Sequence, residues 1–174
     1  MHRLPRHLIV IASLALFVLA AQAHDISAKN TDRSAGEWIA LGETVHGGFG
    51  SHIALGIRIG QDALHRLNAR RRDVDVSVTE GKNAPCACVA DGVMVATSAS
   101  PGQKTLTVNA KSQDTGYLVV IEVKNRTTGA TASYRVPSSM IEPLATMNPG
   151  KSARQRFEAV FAMPQDQLFE VLVK

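Results

Sequence analysis

The chain has 174 residues, 45% hydrophobic and only 5% aromatic, with 19 Lys+Arg against 15 Asp+Glu for a formal charge of +4. That length suits one domain with appendages, and the composition excludes collagen-like, disordered and disulfide-dense classes. No nucleic-acid-binding signature accompanies the charge, so no nucleic-acid partner is expected.

Residues 1–23 read as a secretory signal. His2, Arg3, Arg6 and His7 make a basic start, Leu8 to Ala20 is apolar except for Ser13, and Ala21-Gln22-Ala23 is an A-x-A cleavage site. The apolar run is 13 residues, short of the roughly 20 that cross a bilayer as a helix. Cleavage removes Arg3 and Arg6 and leaves 17 basic and 15 acidic side chains, too balanced to demand a polyanionic partner. The expected location is periplasmic or secreted, with no integral membrane segment after cleavage.

Residues 24–41 read as an N-terminal arm, in which the only tryptophan, Trp38, lies in a short helical stretch from Gly36 to Leu41 that docks on the core. A glycine-rich loop follows, His46-Gly47-Gly48-Phe49-Gly50-Ser51-His52. Ile53, Ile57, Gly60, Leu64 and Leu67 then recur at intervals of 4, 3, 4 and 3, an apolar helical stripe. Gly56 and Gly60, one turn apart, let another backbone come close. The helix ends near Asn68, and Arg70-Arg71-Arg72 form a solvated turn.

Val74, Val76 and Val78 alternate with polar residues as a half-buried strand. Cys86 to Ala96 reads as a loop entering a short helix. Leu106 and Val108, then Tyr117 to Val123, then Ala132 to Val136 read as strands, the last two joined by the turn-rich segment from Asn125 to Gly129. Ile141 to Leu144 is a helical turn. Lys151 to Met163 places Phe157, Val160 and Phe161 on one helical face, and Leu168 to Val173 closes the chain as a turn and strand. The sum is an α+β fold: a single domain with a mixed or antiparallel sheet packed against a long helix.

Several chemistries are absent from the motifs. Gly150-Lys151-Ser152 ends like a phosphate-binding loop, but the glycine that motif needs five residues earlier is Ala145. There is no G-x-S-x-G, no H-E-x-x-H and no C-x-x-C. Two cysteines cannot build a four-thiolate zinc site.

What remains centres on the glycine loop and on Cys86 to Asp91. A helix N-terminus with Gly47 and Gly48 nearby offers N–H groups to a small anion or carboxylate. The imidazoles of His46 and His52 can instead hold a metal. His65, in the helix body, reads as solvent-facing. Cys86 and Cys88 form a C-x-C whose thiols share one side of an extended segment. A disulfide is allowed in an oxidising compartment, but the ring closed across one residue is strained, which ranks a buried or metal-ligating Cys88 above it. Asp91, three residues on, can orient a ligand or accept from a histidine.

On these residues the chain resembles the E-subunit family of formylmethanofuran dehydrogenase, which also occurs as stand-alone bacterial proteins. The family's His-Gly-His-x-Cys/Gly-Pro-x-Leu-x-x-Gly segment stands here as His46 to Gly56. Its cysteine, two residues and Asp-Gly stand as Cys88-Val89-Ala90-Asp91-Gly92, followed by Thr97-Ser98-Ala99-Ser100-Pro101-Gly102-Gln103-Lys104-Thr105-Leu106. Gln165 to Phe169 resembles the family's close. The resemblance spans residues 42–174 and implies a domain of that family's fold there. Members with full Cys/His sets suit zinc or iron. This chain has Gly48, Gly50 and Ala99 at three of those positions, keeps His46, Cys88 and Asp91, and adds His52. The family takes its name from a cytoplasmic molybdenum or tungsten enzyme, from which export would separate this chain.

The resulting expectation is an exported, non-enzymatic binding protein for a metal ion or small ligand. Its ligand-binding residues are His46, Gly47, Gly48, His52 and Asp91; its metal ligands are His46, Cys88 and His52, for zinc or copper. A homodimer is expected, from the resemblance and from the Gly56/Gly60 face. The alternatives are an enzyme, with His46 as acid/base and Cys88 as nucleophile or with a metal-activated water, and a structural or partner-binding module.

Overall fold

The computed structural model describes residues 33–174. The expected signal, residues 1–23, lies outside them, as does the first half of the expected arm, residues 24–32.

The described chain is an α+β unit with one five-stranded sheet. Helix α1 (Ala35–His46) opens on a capping box: the Ser34 hydroxyl accepts from the Glu37 N–H, and the Glu37 carboxylate accepts from the Ser34 N–H at 2.7 Å. The helix runs five residues beyond the stretch expected from Trp38 and Leu41, so it straddles the expected boundary between arm and domain. Trp38 is buried, with the guanidinium of Arg71 5.1 Å from its ring centre.

Helix α2 (Ser51–Arg66) carries the expected apolar stripe and is buried for most of its length. Strand β1 (Val74–Glu80) follows, then helix α3 (Cys88–Thr97) and strand β2 (Leu106–Val108). Strands β3 (Tyr117–Asn125) and β4 (Thr131–Pro137) form a hairpin. A single 3-10 turn leads into helix α4 (Ile141–Thr146), and helix α5 (Ala153–Ala162), helix α6 (Gln165–Leu168) and strand β5 (Glu170–Val173) complete the chain.

The strand order is β2-β1-β3-β4-β5, antiparallel throughout except for the parallel β1–β2 pair. The register aligns Val78, Ile121, Tyr134 and Val171 on one face, as the period of two requires. That face meets α2. Tyr134 is fully buried but its hydroxyl donates to Asp62 of α2 at 2.7 Å, which satisfies the one polar atom it buries. Asn125, also buried, donates from its amide to the Leu67 carbonyl at the end of α2. The other face presents Ser77, Glu122 and Ser133 in register.

Helices α2 and α3 cross in backbone contact. A Cβ built on Gly56 would lie 2.2 Å from the Val89 carbonyl oxygen, and one on Gly92 would lie 2.3 Å from that of Ile53. One turn along, a Cβ on Gly60 would lie 2.6 Å from the Ala96 methyl. The small-residue face expected to serve self-association is therefore filled from within the chain, by α3. This crossing brings the N-terminal turns of α2 and α3 side by side, and with them the residues singled out from the sequence.

Candidate functional site

His46 is the last residue of α1, where the sequence suggested a loop. The helix ends there because Gly47 adopts a left-handed conformation (φ 82°) and its N–H closes on the Glu43 carbonyl at 2.8 Å, a conformation glycine takes without steric penalty. Gly48 to Gly50 then carry the chain to α2. Phe49 between them is buried against Phe157 of α5, ring centres 6.2 Å apart, and pins the loop down.

The loop is clamped from α5. The Arg156 guanidinium donates to the carbonyls of Phe49 and Asn148, each at 2.8 Å. Asn148 in turn accepts from the Ser51 N–H at 3.1 Å through its side-chain oxygen. That backbone group opens α2, so a distant side chain occupies part of the anion-binding position expected there. Neither Asn148 nor Arg156 was singled out from the sequence; they lie about a hundred residues along the chain and carry no local motif.

A cleft of 480 Å³ opens between the ends of α1, α2 and α3; its lining includes His46, Gly48, His52, Cys86, Cys88 and Arg156. Gly47 stands outside the lining as a helix cap, and His65 is exposed on α2 away from the cleft. A second groove, of 410 Å³, runs along the open sheet face past Ser77, Glu122 and Ser133 and gathers none of the residues singled out above.

Two imidazoles in the cleft differ in state. His46 Nδ1 lies 2.7 Å from Asp91 Oδ2, with both side chains about a third exposed. A carboxylate accepts, so Nδ1 carries a proton, and in the neutral ring the nitrogen left to accept or ligate is Nε2. This is the arrangement in which a carboxylate orients a histidine for metal ligation or proton transfer. Asp91 does this from the first turn of α3. His52, on the second residue of α2, is 7% exposed, and its Nε2 is buried without a hydrogen-bond partner. Burial removes solvation from the charged form and holds its pKa below the ordinary value. The ring thus holds a buried nitrogen with no hydrogen-bond partner, and an unsatisfied buried polar atom calls for a physical explanation.

The cysteines depart from the ranking drawn from the sequence. Cys86 and Cys88 are bonded to each other, and no described cysteine is free. The extended segment assumed for them is absent: Ala87 has φ −77° and ψ 17°, which folds the chain and brings the two Cα atoms to 5.3 Å, inside the range a disulfide spans. In this state Cys88 supplies neither a thiolate ligand nor a nucleophile. Among the described residues no group of three or more His, Cys, Asp or Glu side chains is placed to hold a metal ion. The donors that do fit a borderline metal are the two imidazole nitrogens, one oriented by Asp91 and one left unpartnered.

The family model described as "FmdE, Molybdenum formylmethanofuran dehydrogenase operon" matches residues 45–170. The match begins one residue before His46 and takes in every residue of the cleft. No curated protein matches the chain.

Proposed function

The chain belongs to the FmdE family, and from that premise we propose that it is an exported, non-catalytic binding protein whose cleft takes a zinc or copper ion on His46 and His52. The observation that carries this reading is the buried Nε2 of His52, which has no partner in the fold and belongs to a residue lining the same cleft as a histidine already oriented by Asp91. Imidazole nitrogen suits zinc and copper and not magnesium or calcium, which take oxygen. The capping of Ser51 by Asn148 favours a metal over a small anion at the start of α2. Export is supported by the order of charge, apolar run and A-x-A site in residues 1–23.

Two imidazoles leave coordination positions for water or a small ligand, so affinity falls short of a closed four-ligand zinc site. Calorimetry with zinc, and with copper in either oxidation state, on tag-free protein lacking residues 1–23 tests the reading. Binding abolished by His46→Ala and by His52→Ala, and kept by His65→Ala, supports it. No heat from either metal overturns it.

A further inference from the structure

The cleft contains more donor atoms than its present state uses. Among its lining residues, the side chains that suit a borderline metal are His46 and His52 together with the two sulfurs of Cys86 and Cys88. The imidazoles are available; the sulfurs are spent on each other. We propose that the Cys86–Cys88 disulfide is a redox lock on this metal site: when it is reduced, Cys88 joins His46 and His52 as a third ligand, and when it re-forms, the metal is released. This rests on the metal-binding reading above and adds its regulation.

Three observations carry it. First, the bond is not a structural staple. It spans a sequence separation of 2, so it closes almost no loop and removes almost no entropy from the unfolded chain. Both cysteines are only partly buried, within reach of a reductant. Second, the ligand position is held by the fold without the bond. Cys88 is the first residue of α3, and α3 is fixed against α2 by the Gly56–Gly92 crossing. Cys86 precedes the helix on a turn after Pro85. The helix residue is therefore the ligand, and Cys86 is the partner that takes it out of play. Third, the site is one donor short. Two imidazoles line the cleft beside the paired sulfurs, and freeing one thiol adds a soft donor to them.

The exchange balances with an external dithiol. Its thiolate attacks Cys86 Sγ, the Sγ–Sγ bond breaks, and Cys88 leaves as a thiolate. The second thiol of the reductant, deprotonated, displaces Cys86 from the mixed disulfide. The reductant ends as a disulfide, and the protein has gained two electrons and two protons, one on each sulfur. Metal then displaces the proton of Cys88. Oxidation by a disulfide of the same class runs the sequence backwards and expels the ion.

The test is zinc affinity, measured by competition with a chromophoric chelator on the tag-free protein without residues 1–23, either as the disulfide or after treatment with a phosphine reductant. Reduction is expected to tighten binding by more than the roughly 10- to 100-fold that loss of a ligand's outer partner removes. Cys86→Ser, which leaves Cys88 unpaired, should bind like the reduced protein with no reductant present, and Cys88→Ser should bind only as weakly as the disulfide form. Circular dichroism of each variant reports folding, and where Cys86→Ser does not fold, the reduced wild type carries the comparison. Equal affinity in the two redox states, or tight binding by Cys88→Ser, overturns the lock. If that equal affinity still depends on His46, the metal-binding reading stands without the lock; zinc bound in neither state removes both.

Discussion

At the scale of single residues, the site is set by what each histidine lacks. His46 has its Nδ1 engaged by Asp91 at 2.7 Å, so its orientation depends on that carboxylate. Asp91→Asn keeps the shape and removes the charge that favours the bound ring. Zinc affinity should fall by about 10- to 100-fold with the fold intact, as read by titration and by circular dichroism. His52 contributes a pH dependence of known sign. Its folded pKa is depressed by burial, so below the unfolded value, near 6.5, the unfolded chain binds a proton that the folded chain does not. The metal-free protein should therefore lose stability as pH falls through 6.5 and until the folded value is reached, by about 1.4 kcal/mol for each unit of depression. His52→Gln should flatten that part of the curve. Urea midpoints for both proteins between pH 7.5 and 5 check it, and parallel curves would show that His52 is not the titrating group.

At the scale of elements, the crossing of α2 and α3 places the chemistry. Gly56 and Gly92 let the helix backbones touch, which puts Asp91 beside His46 and Cys88 beside the cleft. A methyl group on Gly56 meets the Val89 carbonyl at 2.2 Å, and a main chain cannot yield as a flexible side chain can. Gly56→Ala should cost about 3 kcal/mol or more, and zinc binding should fall with it because the two N-terminal turns are forced apart. Gly102→Ala is the control, since nothing lies within 4 Å of its Cβ; it should change stability by no more than about 0.5 kcal/mol. Chemical denaturation of the two variants beside the wild type gives the comparison. The glycine pattern on α2 was visible in the sequence as a surface for close approach. Which backbone approaches it was not, because the short helix expected within Cys86 to Ala96 carries no local mark of the element it packs against.

At the scale of the whole molecule, export and self-association are proposals with direct measurements. Cleavage after Ala23 leaves a chain of 151 residues beginning at His24, and the intact mass of protein recovered from the periplasm should match it; a mass retaining residues 1–23 means an uncleaved anchor. Among the described residues no helix is long and apolar enough to cross a membrane. We propose that the cleaved protein is a homodimer, which light scattering at micromolar concentration checks. With Gly56 and Gly60 covered inside the chain, the contact has to lie elsewhere. Strand β5 is an edge of the sheet, with Leu172 and Val173 about half exposed, and unpaired edges are where sheets join. Leu172→Lys should shift the mass to that of a monomer while leaving zinc affinity unchanged, since β5 lines no part of the cleft.

Most of the elements, and the family, are legible in the local order of residues. The 4-3-4-3 stripe from Ile53 to Leu67 and the alternation at Val74, Val76 and Val78 appear as α2 and β1, because backbone periodicity dictates which side chains share a face. The segments around His46 and Cys88 carried the family resemblance that the match over residues 45–170 bears out. What covers each face and what surrounds the site came from packing between distant segments. It made His46 the end of a helix, buried His52, turned Ala87 so that the cysteines join, and brought Asn148 and Arg156 onto the glycine loop from the far end of the chain. The physical reason is range: periodicity and turn chemistry act between residues a few positions apart, whereas burial, orphaned polar atoms and side-chain clamps arise only when distant segments pack together.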